Sequence, residues 1–164
     1  MSIKEVKNLE KIDKTNLFHP ITNLKSHASE DVLILDRGEG IYVYDKEGKK
    51  YLEGLAGLWC TSLGYGVKEL GEVASEQMTK LGYSSLFTSK SHEPAILLSE
   101  KLIEMSPYDN GKVFFGNSGS DANDTQLKLY TYYNNALGNN SKKKIISRMK
   151  GYHGVTVASA SMTG

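Results

Sequence analysis

The sequence predicts a mixed α/β domain with parallel strands, and three observations lead there. From residue 67 onward the apolar pattern alternates helix, strand, helix, strand, helix. A small polar loop, Asn117-Ser118-Gly119-Ser120, joins the apolar run Val113-Phe114-Phe115 and Gly116 to a helix-like segment that begins near Asp121. The composition, 39% hydrophobic and 9% aromatic, is that of a globular chain and excludes a disordered one.

The totals narrow the function classes further. The 164 residues suffice for one ordinary domain. Lys and Arg total 20 against 19 Asp and Glu, so nothing in the charge balance supports a nucleic-acid or membrane-surface partner. The run Lys142-Lys143-Lys144 reads as a solvated lead-in to a strand. No apolar run is long enough to cross a bilayer, and the opening MSIKEVKNLEKIDK lacks the apolar stretch of a signal peptide. The single cysteine, Cys60, excludes an internal disulfide framework and points to a reducing compartment, with the cytoplasm as default.

The elements follow in order. Residues 2–16 are charged and read as a short helix or a loose arm that ends at His19-Pro20, because proline pushes the preceding residue toward an extended backbone. Residues 32–36 (VLILD) read as a strand. The alternating IYVYD, the turn Lys46-Glu47-Gly48 and KKYLEG read as a β-hairpin. In residues 67–81, Val67, Leu70, Val73, Ala74, Gln77, Met78 and Leu81 fall near one helical face. Residues 82–91 are irregular and rich in serine and aromatics. A second helix starts at Ser91 or His92, carries Pro94 in its first turn and buries Ala95, Leu98, Leu102 and Met105 before Ser106-Pro107 ends it. A long helix is lined by Ala122, Leu129, Tyr130, Tyr133, Ala136 and Leu137, with Gly138 as its C-terminal cap. Residues 144–148 (KIISR) form a strand, Gly151-Tyr152-His153-Gly154 a loop, and residues 155–162 the start of another helix. No internal repeat or low-complexity region interrupts this order.

Strand, Gly/Ser loop and helix N-terminus in that order make a place for a phosphate. The first backbone N–H groups of a helix lack internal partners and carry the positive end of its dipole. Serine hydroxyls add donors. The spacing is G-x-x-G, neither a dinucleotide fingerprint nor a P-loop. On its own it serves equally as a plain turn with a serine N-cap. Ligands in parallel sheets bind beyond the carboxyl ends of the strands, where residues 116–120 and 151–154 both lie. If the two strands are neighbours, these loops face one crevice.

Other residues carry weaker signals. Tyr152 could stack on a flat ring, although the residues alone favour a core-edge tyrosine. His153 suits acid–base work near neutrality, but a satisfied hydrogen-bonding histidine is the preferred reading. Trp59, the only tryptophan, lines a pocket or belongs to the core. Cys60 reads as an inert buried thiol. The histidines at 19, 27, 92 and 153 lack metal-ligand spacing, so no metal site is expected.

Taken together these segments resemble the class III (omega-type) pyridoxal-phosphate-dependent aminotransferases, closest to the branch that passes amino groups from amines or omega-amino acids to pyruvate. The resemblance runs through HPIT, RGEGIYVYDKEGKKYLEGLAGLWC, GYG with its helix, HEPA, FFGNSGSDANDT, KKKIISRMKGYHG and VTVASASMTG. It implies a fold-type I PLP-dependent transferase, here incomplete. Residues 1–66 would be the N-terminal arm and β-hairpin segment, and residues 67–164 the beginning of the large three-layer α/β/α domain that binds pyridoxal 5′-phosphate. Ser118, Gly119 and Ser120 match the family's phosphate cup, Tyr152 the aromatic that stacks on the pyridine ring, and His153 its neighbour that supports ring and loop. Trp59 matches a residue lining the substrate pocket. Leu86 and Phe87 match a stretch that reaches the partner's active site in these homodimers. The family usually has Glu where this chain has Asp121, so the role of Asp121 is open.

The resemblance also implies what is missing. The family's Schiff-base lysine and the aspartate that pairs with the pyridine nitrogen lie C-terminal of anything here, and no lysine of this chain sits in the matching context. The chain therefore reads as the N-terminal part of a longer enzyme, with no catalytic residue of its own and no turnover expected alone. Two rivals stand beside the aminotransferase. One is another PLP enzyme of this fold, a decarboxylase, racemase or aminomutase. The other is a short phosphate-binding or structural protein. The amino donor is not legible.

Overall fold

The structure, a computed structural model, describes residues 3–108 and 110–164. It divides into two compact units, Met1–Ser84 and Ser85–Gly164.

The first unit opens with helix α1 (Ile3–Asn16) in the segment where a helix or arm is expected; residue 2 of that segment lies outside the described residues. A second helix, α2 (Leu24–Ser29), follows Pro20 and was not signalled by periodicity, since six residues are too short to show it. Asn23 starts α2 with its side chain, accepting the N–H groups of Lys25 at 3.1 Å and Ser26 at 3.2 Å.

Three strands, β1 (Leu35–Glu39), β2 (Tyr42–Asp45) and β3 (Lys50–Leu52), form an antiparallel sheet in the order β1-β2-β3. β1 lies three residues later than the apolar run 32–36 suggests. The ladder decides this: Arg37 pairs with Tyr44, Gly38 with Val43 and Glu39 with Tyr42. Arg37 also lies 3.5 Å from the centre of the Tyr44 ring, a cross-strand cation–π pair. The hairpin about residues 46–48 forms as expected, with Val43 opposite Tyr51. Its turn is built on Asp45, whose Oδ1 accepts the N–H groups of Glu47 and Lys49, each at 2.9 Å. Val43 is the one buried hydrophobic side chain among the described residues. Beyond the sheet come α3, a single left-handed turn (Ala56–Trp59), and the helix α4 (Lys68–Leu81), the latter within one residue of its expected start.

The second unit holds three helices. α5 (Glu93–Met105) begins after His92, has Pro94 in its first turn and stops at Ser106. α6 (Gly119–Ala136) begins at the N-cap Ser118, two residues earlier than its apolar pattern suggests. Its far end closes as a Schellman motif: Gly138, at φ +77°, donates to the Asn135 carbonyl at 3.0 Å, and Asn139 donates to that of Asn134 at 2.8 Å. The last helix is α7 (Val157–Met162).

Three expectations fail, for one physical reason. Residues 113–115 and 144–148 are not strands here, because a strand exists only through its ladder and neither run has one among the described residues. The α5 stripe is not buried: Leu98, Leu102 and Met105 are all exposed. Periodicity selects a face, but burial requires something to cover it. Cys60 is likewise exposed rather than buried.

Candidate functional site

The cup forms at the start of α6. Ser118 turns its backbone out of the helix at φ −160°, and its Oγ accepts the Asp121 N–H at 3.1 Å. The Ala122 N–H returns to the Ser118 carbonyl at 2.9 Å, closing the first turn. Helix geometry then leaves the Gly119 and Ser120 N–H groups facing outward without an intrahelical acceptor. Asp121, whose role was open, ties the loop down: its Oδ2 accepts the Asn117 N–H at 3.1 Å. This is a variant of the capping box, shifted one residue toward the loop.

The second loop is stitched to the first. Ser120 Oγ accepts the Val155 N–H at 3.0 Å, so residues 116–120 and 151–155 meet. The two loops share one place without the strand ladder that was expected to align them. Asn123 Nδ2 donates to the His153 carbonyl at 2.6 Å. Gly154, at φ +129°, is buried at the crossing; a Cβ there would stand 2.5 Å from both Ser120 Oγ and Ser159 Oγ. Only glycine allows that approach.

Below the crossing lies a polar network that the sequence reading missed. Asp124 Oδ1 accepts the Thr156 hydroxyl at 2.8 Å and the Ser159 N–H at 3.0 Å, so a side chain of α6 caps α7. Ser159 is fully buried. Thr163 Oγ1 accepts the His153 N–H at 3.0 Å. The available signal was the polar run Asp121-Ala122-Asn123-Asp124-Thr125 in the first turns of a helix, where capping residues outnumber good helix formers.

Tyr152 is 74% exposed, so its ring is an open face rather than a core edge. His153 is not fully satisfied: its backbone is bonded on both sides, yet Nε2 is buried with no hydrogen-bond partner among the described residues. Leu86 and Phe87 are exposed in the irregular segment before α5, and among the described residues no hydrogen bond joins them to the cup.

Trp59 belongs to the first unit and is 79% exposed, so it is not core. It ends a left-handed turn in which Ala56, Gly57, Leu58 and Trp59 have φ of 51°, 59°, 59° and 69°. Non-glycine residues adopt this conformation at a cost of roughly 1–2 kcal/mol each. Glu53 holds the turn, its carboxylate accepting the N–H groups of Leu55 at 3.0 Å and Gly57 at 2.6 Å. Glu53 was also missed; its signal was an acid immediately before a glycine-rich turn.

Chemically, the cup presents donors of the kind an anion takes. Its donors are two outward N–H groups and two serine hydroxyls, and a hydroxyl that accepts one hydrogen bond still has its own proton to donate. A phosphate fits this donor set, and the exposed Tyr152 ring on the adjoining loop fits the flat part of a phosphorylated aromatic cofactor.

The family described as aminotransferase class-III matches residues 25–164. The diaminobutyrate–2-oxoglutarate transaminase of Halomonas elongata is 44% identical over 160 residues, covering 96% of this chain and 34% of the relative. The mitochondrial gamma-aminobutyrate transaminase 1 of Oryza sativa is 52% identical over 133 residues, covering 80% and 26%. The crystal structure of the omega transaminase from Pseudomonas jessenii in complex with PMP superposes with a TM-score of 0.92 at 54% identity, covering 95% of this chain and 34% of that one. The chain thus spans between about a quarter and a third of the length of these relatives.

Proposed function

The chain belongs to the class-III aminotransferase family, and from that premise we propose that the full-length protein is a PLP-dependent transaminase. It moves an amino group from an amine or omega-amino acid to pyruvate or a similar keto acid. The observation that carries this reading is the 3.0 Å bond from the Val155 N–H to Ser120 Oγ, which joins the anion cup to the loop bearing Tyr152. PLP, when bound, supplies an electron sink for the amino-transfer chemistry.

The residues of this chain bind and orient. Gly119 and Ser120 offer N–H groups to the phosphate, and the Ser118 and Ser120 hydroxyls add donors while keeping the bonds that shape the cup. Asp121 keeps the loop closed. Tyr152 covers a ring face, and His153, anchored by Asn123 and Thr163, holds that loop in place. Trp59 lines the substrate pocket from its left-handed turn. Leu86 and Phe87 reach the partner's site in a homodimer. No residue here is assigned a catalytic role. In functional terms residues 1–66 are the arm and hairpin segment and residues 67–164 the beginning of the cofactor domain. Among the described residues no helix is long and apolar enough to cross a membrane, and the balanced charge and lone cysteine support a cytoplasmic enzyme.

The test is to load the full-length protein with PLP and follow amino transfer to pyruvate from a panel of amines and omega-amino acids. Alanine formation dependent on both donor and PLP is the expected result. Product formation that proceeds equally without pyruvate would instead identify a decarboxylase, racemase or aminomutase.

A further inference from the structure

The N-terminal segment holds a cluster that the proposed transaminase chemistry does not use. Asp13 lies near the end of α1, His19 in the connection that follows, and His27 in the last turn of α2. Their spacing of six and eight residues matches no metal motif, yet the fold brings one ligand atom from each within 4.8 Å of the others. His19 Nε2 lies 3.0 Å from both carboxylate oxygens of Asp13, and His27 Nε2 lies 2.8 Å from Oδ2. The two rings lean together, with centroids 4.3 Å apart and planes at 49°.

The convergence is built by the backbone. The Asn23 cap sets where α2 starts, and the His27 N–H bonds to the Asn23 carbonyl at 2.9 Å. Pro20 and the left-handed Ile21, at φ 52°, turn the chain back toward α1. The same ring nitrogen of each histidine then points at the same carboxylate. The side chains are only 28% (His19), 16% (His27) and 16% (Asp13) exposed, so water competes weakly while an ion still has access.

We propose that Asp13, His19 and His27 form a binding site for a zinc-class divalent cation that fastens α1 to α2. Two imidazole nitrogens and one carboxylate are a borderline donor set that suits Zn²⁺, Co²⁺, Ni²⁺ or Cu²⁺, and it is too rich in nitrogen and too poor in oxygen for Mg²⁺ or Ca²⁺. Around a tetrahedral ion with ligands at about 2.0–2.1 Å, neighbouring ligand atoms stand roughly 3.3 Å apart. The two carboxylate–imidazole spacings, 3.0 and 2.8 Å, need to open by only a few tenths of an ångström. Each ring must then present a bare Nε2, its proton on Nδ1 or released to solvent. Three protein ligands leave the fourth position to water. The ion's task is structural, joining the arm to the helix after it.

The experiment uses the full chain, stripped with a chelator and dialysed, then titrated with Co²⁺ and afterwards with Zn²⁺. The expected result is one Co²⁺ per chain, with a ligand-field spectrum of nitrogen and oxygen donors, displaced stoichiometrically by Zn²⁺. Asp13→Asn, His19→Gln and His27→Gln should each weaken binding by more than about 100-fold, since loss of a residue that merely supports a ligand already costs 10–100-fold. His92→Gln and Cys60→Ser should leave affinity unchanged. Far-UV circular dichroism checks that each variant folds, and Zn²⁺ should raise the melting temperature of the unsubstituted chain only. Absence of equimolar Co²⁺ binding by the unsubstituted chain would overturn the site and leave a His–Asp–His hydrogen-bonded cluster. Binding that survives His19→Gln/His27→Gln would also overturn it.

Discussion

The crossing of the two loops in the second unit and the turn that carries Trp59 in the first position their candidate functional side chains by opposite means. At the crossing, bonds run between residues 30–35 positions apart: Asn123 to His153, Ser120 to Val155, Asp124 to Thr156 and Ser159. The backbone there is relaxed apart from Gly154, where glycine bears the conformation at little cost. At the Trp59 turn the partners are two to five residues away: the Glu53 carboxylate accepts from Leu55 and Gly57, and the Trp59, Cys60 and Thr61 N–H groups return to the Leu55 and Ala56 carbonyls, holding non-glycine backbone left-handed. The lesson is that a site built from distributed long-range bonds tolerates the loss of one, whereas a strained turn depends on each short-range bond that offsets the cost of its own backbone.

The sharpest way to break the distributed site is therefore to strike its one indispensable contact. Gly154→Ala combines backbone strain with a Cβ 2.5 Å from two serine hydroxyls. We expect a loss of about 2–6 kcal/mol, adding the two costs, seen as separation of the loops by amide hydrogen exchange at Val155 and Ser159. In the full-length protein, PLP affinity should collapse with it. Glu53→Ala should cost the other region about 1.5–3 kcal/mol, the worth of hydrogen bonds to a charged group. Because Trp59 is the only tryptophan, its fluorescence reports the turn directly. A spectrum unchanged by Glu53→Ala would show that the strain is held elsewhere. Ser118→Ala removes one cap from the distributed network and should cost about 1 kcal/mol, with α6 helicity by circular dichroism nearly intact. A larger loss would refute the claim that the network spreads its load.

The smallest expected effect concerns the hairpin just before the Trp59 turn in sequence, where a side-chain pair sets a pH window. Tyr51 donates its hydroxyl to Asp45 Oδ2 at 2.8 Å. That bond, helped by the N–H groups of Lys49 and Glu47, outweighs desolvation and holds the Asp45 carboxyl below its ordinary value. The same bond, with burial and the Asp45 charge, raises the Tyr51 phenol. For Asp45 the stabilisation is present above the unfolded carboxyl value, about 4, and is lost as pH falls through the lower folded value. For Tyr51 it is present below about 10 and is lost as pH rises through the higher folded value. Amide protection at Lys49 should therefore fall at both extremes, and Tyr51→Phe should blunt both falls.

Much of the local structure was legible because it is governed locally. Ser118 and Gly138 bound their helix through side-chain and backbone bonds that a few residues determine. His92, Pro94 and Ser106 bracket α5 in the same way. Asp45 and Gly48 mark the hairpin turn. The candidate site was legible as two separate loops, since each has its glycines and polar residues in short runs. Their stitching was not, because Asn123 and Asp124 look like ordinary first-turn residues until residues 153–163 arrive beside them.

The sequence by itself determined the caps at Ser118 and Gly138, the ends of α5, the hairpin and the family to which these motifs belong, and it marked residues 116–120 as a Gly/Ser loop at a helix start. Each depends on chemistry within one turn or one short loop. Only the tertiary structure decided that β1 sits at Leu35–Glu39, that residues 113–115 and 144–148 go without a ladder, that Trp59 and Tyr152 stand open, and that Asp13, His19 and His27 converge. Strand pairing, burial and ligand convergence are properties of groups brought together from distant positions, and no spacing along one segment encodes which distant group arrives.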